Sequence, residues 1–228
     1  MNSAIIVAAG QGTRLGGKRA KQFQELAGRP VIAHTIDRFE QCAAIHSIIV
    51  VLPATATAQF LHDAGRYGWR KLARVVAGGS SRAESVWRGL QAIPRTTAGL
   101  VAVHDGVRPF VTPDEITATL NRAEECGAAV LTAALVDTIK EVRDGCIVGT
   151  PPREGLRRAL TPQCFRYEIL RRAYEQAGAL DEIATDDSLL VEQSGCPVYI
   201  VAGHSRNIKI TTPEDLALAE VILRRSPV

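Results

Sequence analysis

No apolar run in this sequence is long enough to cross a bilayer, so no membrane partner is expected. Nor is there a signal-peptide pattern: Met1-Asn2-Ser3 leads straight into a short apolar stretch, and the expected location is cytoplasmic. Cysteine is scarce. Cys42, Cys126, Cys146, Cys164 and Cys196 are scattered, odd in number and form no CxxC pair, which argues against a disulfide framework and a zinc site and for reduced thiols. An excess of one charge is missing too. The 27 Lys and Arg residues exceed the 24 Asp and Glu by three, and a net charge of +3 is too mild to imply nucleic acid. There is no G-x-S-x-G elbow, no HExxH and no Cys/His pairing by motif, so the usual hydrolase parts are absent. Of the 228 residues, 46% are hydrophobic and 22% charged, which suits one large domain with a substantial core. No repeat, low-complexity tract or linker divides residues 1–228.

The most informative stretch runs from Ile5 to Lys21. Ile5-Ile6-Val7 reads as a buried strand. Ala8-Ala9-Gly10-Gln11-Gly12 then lets backbone N–H groups approach a ligand closely, and Arg14, Lys18, Arg19 and Lys21 follow within the same loop. A strand that opens into a glycine-rich, basic loop has the makings of a phosphate cradle. A dinucleotide fingerprint would place a third glycine where Leu15 stands and would run directly into a helix. A loop that stays polar and basic instead favours a triphosphate with its charge spread along the loop. The same residues also suit an ordinary βα turn with solvated lysines.

The rest of the chain alternates strand and helix signals. Pro30 opens a helix through Phe39, and Ser47 to Leu52 is a β-branched strand. Pro53 ends that strand and starts a helix through Leu61. Arg74 to Ala77 is a third strand, ending in Gly78-Gly79-Ser80-Ser81, and Ser81…Glu84 predicts a capping box. Leu100 to Val103 is a fourth strand, ending in His104-Asp105-Gly106-Val107-Arg108-Pro109. Thr112-Pro113-Asp114-Glu115 starts another helix, and Ala128 to Leu135 is a fifth strand. This rhythm predicts an α/β fold, a mostly parallel sheet with helices on both faces. From residue 137 to 158 the rhythm changes. Arg143-Asp144-Gly145 sits between two short polar strands, which predicts a projecting hairpin arm that lies against a second subunit. A helix around Tyr167–Gln176 follows, then a helix capped within Thr185-Asp186-Asp187-Ser188, strands at Pro197–Val201 and Asn207–Ile210, and a last helix capped by Thr212-Pro213-Glu214-Asp215.

Ligands of open α/β sheets bind beyond the carboxyl ends of the strands. Ala8 to Lys21, Gly78 to Arg82 with Ser85, Asp105 with Arg108, and Lys209 should therefore share one edge. One carboxylate among several cations is the inventory for Mg²⁺-assisted transfer at phosphorus. His104 reads as a packed, hydrogen-bonded histidine rather than a catalyst, and Asp186 and Asp187 suit helix capping as well as ligand contact.

Eight motifs taken in order resemble one family across essentially the whole chain. They are Ala8-Ala9-Gly10-x-Gly12-x-Arg14, Lys21-Gln22-Phe23, Gly78-Gly79-x-x-Arg82-x-x-Ser85-Val86, Val103-His104-Asp105-x-x-Arg108-Pro109, Asp137-Thr138-Ile139-Lys140, Leu160-Thr161-Pro162-Gln163, Thr185-Asp186-Asp187 and Asn207-Ile208-Lys209-Ile210-Thr211. The resemblance is to the 2-C-methyl-D-erythritol 4-phosphate cytidylyltransferases of the non-mevalonate isoprenoid pathway. It implies a Rossmann-like nucleotidyltransferase fold, a homodimer joined by the arm, and a reaction between CTP and methylerythritol phosphate assisted by Mg²⁺. It further implies Arg14, Lys21 and Lys209 as catalytic groups. Ala8, Ala9, Gly10, Gly12, Gly79, Ser80, Ser85, Asp105 and Gly106 fall on the CTP side, with Asp105 placing the metal. Arg108, Thr138, Arg153, Thr161, Thr185 and Lys209 fall on the acceptor side, with Arg153 on the arm. The chain departs from the family's habit at Ala20, where proline is common, and at Gly106-Val107, where two alanines are common. A pentitol phosphate such as ribitol 5-phosphate is the alternative acceptor. A non-catalytic nucleotide-binding subunit is a further alternative, against which Lys21, Asp105 and Lys209 all stand in place.

Overall fold

A computed structural model describes residues 1–10, 20–177 and 186–225. The strands are β1 (Ser3–Val7), β2 (Glu25–Leu26), β3 (Arg29–Pro30), β4 (Ser47–Leu52), β5 (Leu72–Ala77), β6 (Leu100–Asp105), β7 (Ala128–Ala134), β8 (Glu141–Arg143), β9 (Cys146–Gly149), β10 (Arg157–Arg166) and β11 (Tyr199–Ala202). The helices are α1 (Val31–Gln41), α2 (Thr57–Ala64), α3 (Arg82–Gln91), α4 (Pro113–Cys126), α5 (Tyr167–Gln176), α6 (Asp187–Gln193) and α7 (Pro213–Arg225). Seven strands form the main sheet in the order β11-β7-β10-β6-β1-β4-β5, and all its pairings are parallel except those of β10. The chain builds outward from β1 through β4 to β5, then crosses back to place β6 on the other side of β1. The strand order therefore reverses between β1 and β6, where an open α/β sheet leaves a crevice.

The β-branched runs are buried on both faces, as parallel strands covered by helices require. Ile6 of β1 packs with Ile32, Ile36 and Phe39 of α1, while Ile5 faces the opposite core with Val86 and Leu90 of α3 and Leu170 of α5. Each such side chain contributes about 1.5–3 kcal/mol by leaving water. The cap at Thr112 is complete: its hydroxyl accepts from Glu115 N at 3.1 Å, and the Glu115 carboxylate accepts from Thr112 N at 2.9 Å. Gly127, at φ +95°, ends α4 and turns the chain into β7.

Three expectations need correction. The sequence reading passes over β10, which lies at the centre of the sheet between β6 and β7. Pro162 disqualifies it on local grounds, but the proline sits where the ladder with β7 shifts register between Ala159 and Gln163, a break that needs no N–H. Arg157 and Arg158 pair with Ala134 and Ala133 and so belong to this strand, not to an arm ending at residue 158. The expected strand at Asn207–Ile210 is not a strand. That segment is pinned to the turn after β6, where Ile210 N donates to Val107 O at 2.9 Å. The hairpin β8–β9 forms its own two-stranded sheet, and its apolar Val142 and Ile147 are 62% and 65% exposed.

Candidate active site

A cavity of about 380 Å³ opens at the carboxyl ends of β1, β5 and β6. Ala8, Ala9 and Gly10 line one wall, Gly79 to Arg82 and Ser85 a second, and Lys21, Asp105 and Lys209 converge on it. The backbone ties these loops to the strands that carry them. Gly78 N donates to Leu52 O at 2.7 Å and Gly106 N to Val7 O at 2.8 Å. Gly106 runs so close to β1 that a Cβ there would lie 2.8 Å from the Ala8 methyl. Gln22, wholly buried, donates from Nε2 to Ala8 O at 2.8 Å and to Gly10 O at 3.1 Å. It thereby locks the single 3₁₀ turn Lys21–Phe23 against the exit of β1 and sets where Lys21 begins. Ala20 holds φ at −60°, the angle a proline would fix, so the departure from proline there adds only unfolded-state entropy.

The serines of the β5–α3 turn are committed inward. Ser85 Oγ donates to Ser81 O at 2.8 Å and accepts from Gly79 N at 3.1 Å, which leaves it one lone pair and no proton to offer. Ser81 caps α3 by accepting from Glu84 N at 3.1 Å, but the box is only half formed. Glu84 turns instead to Ser80, whose N–H and hydroxyl donate to it at 2.7 and 2.8 Å.

Asp105, the last residue of β6, is the electrostatic centre. Lys209 Nζ lies 3.0 Å from Oδ2, Arg108 Nε 3.3 Å from Oδ2 and Arg82 Nε 3.3 Å from Oδ1. Burial alone would raise the Asp105 pKa, but Arg82, Lys209 and Arg108 outweigh it and hold the carboxyl well below the usual carboxylate range. Arg82 also ion-pairs with the buried Asp187 at 2.8 Å. Burial works against its charge, yet Asp187 and Asp105 prevail and keep the guanidinium above its ordinary value. Tyr174 OH holds Asp187 Oδ1 at 2.6 Å, and Gln163 Oε1 accepts from Asp187 N at 3.0 Å, so α5, α6 and β10 together brace Arg82.

His104 stands beneath Asp105, fully buried and tilted against the Phe39 ring at 4.9 Å. Burial pushes its pKa down to about 4, despite the hydrogen bond to Arg108 and the charge of Asp105. An unfolded histidine binds a proton below pH ~6.5, whereas the folded one stays neutral. The unfolded state is therefore favoured as pH falls, and this stability is whole above pH ~6.5 and lost on the way to pH ~4. Asp105, with its lowered pKa, begins to contribute acid lability only below pH ~4. Denaturant unfolding of the ligand-free chain at pH 7 and pH 5 should thus differ by roughly 2 kcal/mol from His104. His104→Gln should flatten that difference.

Residues 2–225 match the family model of 2-C-methyl-D-erythritol 4-phosphate cytidylyltransferase. The chain belongs to that family. It is 44% identical over 224 residues to the enzyme of that name from Pelotomaculum thermopropionicum, covering 97% of this chain and 94% of the relative. The enzyme from Geobacter metallireducens is 43% identical over 225 residues, covering 97% of each. Among solved structures, 4-diphosphocytidyl-2C-methyl-D-erythritol synthase from Anaerococcus prevotii superposes with a TM-score of 0.87 at 32% identity, covering 98% of this chain and 96% of that one.

Against the family's motifs, the fold brings Lys21, Asp105 and Lys209 to one cavity, with Ala8, Ala9, Gly10, Gly79, Ser80 and Ser85 around them. Gly106 packs behind Ala8. Arg108 and Lys209 also line a smaller neighbouring cavity of about 220 Å³. Thr161 is buried next to Asp105 and His104. Thr138 is exposed at the base of the arm, and Arg153 is exposed with Nη1 donating to Val136 O at 2.9 Å, so neither lines the main cavity within this chain. Gly12, Arg14 and Thr185 lie outside the described residues. Asp186 is a cap, accepting from Leu189 N at 3.0 Å, whereas Asp187 braces Arg82. Arg82 is at the edge expected of it, but its pairing with Asp187, expected only as a cap or ligand contact, and the bracing roles of Gln22 and Asn207 went unread in the sequence. Their only local signal is that each falls inside a motif; their partners lie far along the chain.

Proposed function

We infer that this chain joins CTP and 2-C-methyl-D-erythritol 4-phosphate, giving 4-diphosphocytidyl-2-C-methyl-D-erythritol and pyrophosphate. The observation that carries this is the convergence of Lys21, Asp105 and Lys209 on one cavity beside the small-residue wall of β1, in a chain of this family from residue 2 to 225. A phosphate oxygen of the acceptor attacks the α-phosphorus of CTP. The new P–O bond forms as the bond from the α-phosphorus to the bridging oxygen breaks, and pyrophosphate departs with that electron pair. A phosphate monoester has a second pKa of about 6 and is largely dianionic near neutral pH, so no general base is needed. His104, beside Asp105, is buried and held neutral, in keeping with that.

The chemical difficulty is the approach of two anions, and the cations answer it. Lys21 and Arg14 would offset charge on the α-phosphate, and Lys209 would hold the incoming phosphate. Among the described residues no group of three or more His, Cys, Asp or Glu could hold a metal alone. The single carboxylate of Asp105 instead fits Mg²⁺ that enters with the nucleotide, since that ion is commonly held by one or two carboxylates plus substrate phosphates. Asp105 would hold it, and the ion would supply charge neutralisation along the triphosphate. Ser85, left only as an acceptor, suits the amino group of cytosine and not the 4-carbonyl of uracil.

The arm completes the reading. Val142, Ile147 and Val148 are exposed on it, which supports an arm that crosses to a second copy of the chain and brings Arg153 to the partner's acceptor site. Arg153→Ala is expected to raise the acceptor KM about tenfold or more, as loss of a charge-assisted hydrogen bond would, with the CTP KM little changed. The protein should sediment as a dimer, and a fully active monomer would end the cross-subunit reading. Among the described residues no helix is long and apolar enough to cross a membrane. Pyrophosphate release over the four nucleoside triphosphates, each with methylerythritol phosphate or ribitol 5-phosphate, tests the whole assignment. Activity should be confined to CTP with methylerythritol phosphate.

A further inference from the structure

Four residues near Asp105 close a ring of hydrogen bonds. Arg108 Nη1 donates to Asn207 O at 2.9 Å, and Asn207 Nδ2 donates to Thr161 O at 2.8 Å. Thr161 Oγ1 lies 2.9 Å from His104 Nδ1, and His104 Nε2 lies 3.0 Å from Arg108 O. The proton positions follow from chemistry. Arg108 O is a carbonyl and can only accept, so Nε2 carries hydrogen. Both ring nitrogens meet neutral groups, so a second proton would leave a wholly buried cation with no counter-ion; Nδ1 is therefore a bare acceptor and receives the only proton of the Thr161 hydroxyl. Asp105 N–H, which can only donate, points to the same Thr161 oxygen at 3.2 Å. Each member of the ring thus gives one hydrogen bond and accepts one, and Asp105 hangs from it by its own backbone.

The ring joins the end of β6, the turn after it, the bulge of β10 and the segment that carries Lys209. Thr161 has no proton left to give. A dianionic phosphate is all acceptor, so a hydroxyl in this state cannot donate to it.

We propose that Thr161 and His104 are positioning residues that hold Asp105 and Lys209 in register through this closed ring, and that Thr161 does not donate to the acceptor phosphate. The proposal rests on the cytidylyl-transfer reading, and wild-type turnover of CTP tests that reading separately. Steady-state kinetics on Thr161→Val, His104→Gln and the double variant, with folding checked by denaturation, test the ring. Thr161→Val and His104→Gln should each lower kcat about 10- to 100-fold, as loss of an outer partner of a catalytic group does, and leave the acceptor KM within about threefold. The double variant should be no slower than the worse single one, because a ring need be opened only once. Thr161→Ser, which keeps the hydroxyl, should restore kcat to within about threefold of wild type. Should the valine variant not fold, ¹⁵N spectra of the wild-type imidazoles at neutral pH serve instead and should show His104 as the Nε2–H tautomer. A raised acceptor KM with kcat kept, losses that multiply in the double variant, or an Nδ1–H tautomer would each overturn the proposal.

Discussion

Lys21→Ala is expected to lower kcat about 10²- to 10³-fold while the KM for CTP moves only a few-fold, the pattern for a group whose contact strengthens as charge builds in the transition state. Lys21 reaches the cavity from a one-turn helix that Gln22 clamps to the carbonyls of Ala8 and Gly10. Its cation is therefore delivered to a defined place beside the backbone wall, not swept through solvent. The variant's denaturant midpoint, measured alongside, separates a loss of catalysis from a loss of folding. Rapid-quench measurement of pyrophosphate formation would settle the matter, and an unchanged chemical rate would remove Lys21 from the catalytic set.

Asp105→Asn should be as damaging to turnover and also costly to stability. The substitution keeps the shape and deletes the one negative charge shared by Arg82, Arg108 and Lys209. Breaking a fully buried ion pair costs about 3–5 kcal/mol; here the carboxylate is buried and its three cations are partly exposed. Arg82 retains Asp187 and Arg108 retains the Asn207 carbonyl, so the lower end of that range is expected. Activity should fall by about 10²-fold or more, since Lys209 loses the anchor that aims it and a metal entering with the nucleotide would lose the Asp105 carboxylate. A variant with wild-type stability would mean that the charge cluster balances itself without Asp105. Normal turnover would mean that Asp105 takes no part in placing the phosphates.

How far the chain could be read in advance depended on the range of each signal. The runs Ile5-Ile6-Val7 and Ser47 to Leu52 declare buried strands by composition alone, and Thr112-Pro113-Asp114-Glu115 declares a helix start by local hydrogen bonding. The hairpin is legible for the same reason, because Asp144 and Gly145 carry the positive φ its turn demands. The strand β10 was illegible because its neighbours decide it. Its proline is tolerated only where β7 slips register, and that partner is not visible from residues 157–166. Glu84 likewise carries the local sign of a capping box yet turns to Ser80 and Arg88 once the β5–α3 turn is in place.

The sequence alone determined the class of fold, the end of the sheet that carries function and the kind of charge gathered there, because periodicity, capping and glycine placement act within a few residues. Tertiary structure alone decided that Arg82 would answer to Asp187 across 105 positions, that Thr161 would spend its proton on His104, and that Arg108 and Asn207 would close a ring beneath Asp105. A buried polar group takes whichever partner the packed strands set beside it, and leaving it without one costs more than any local preference can supply.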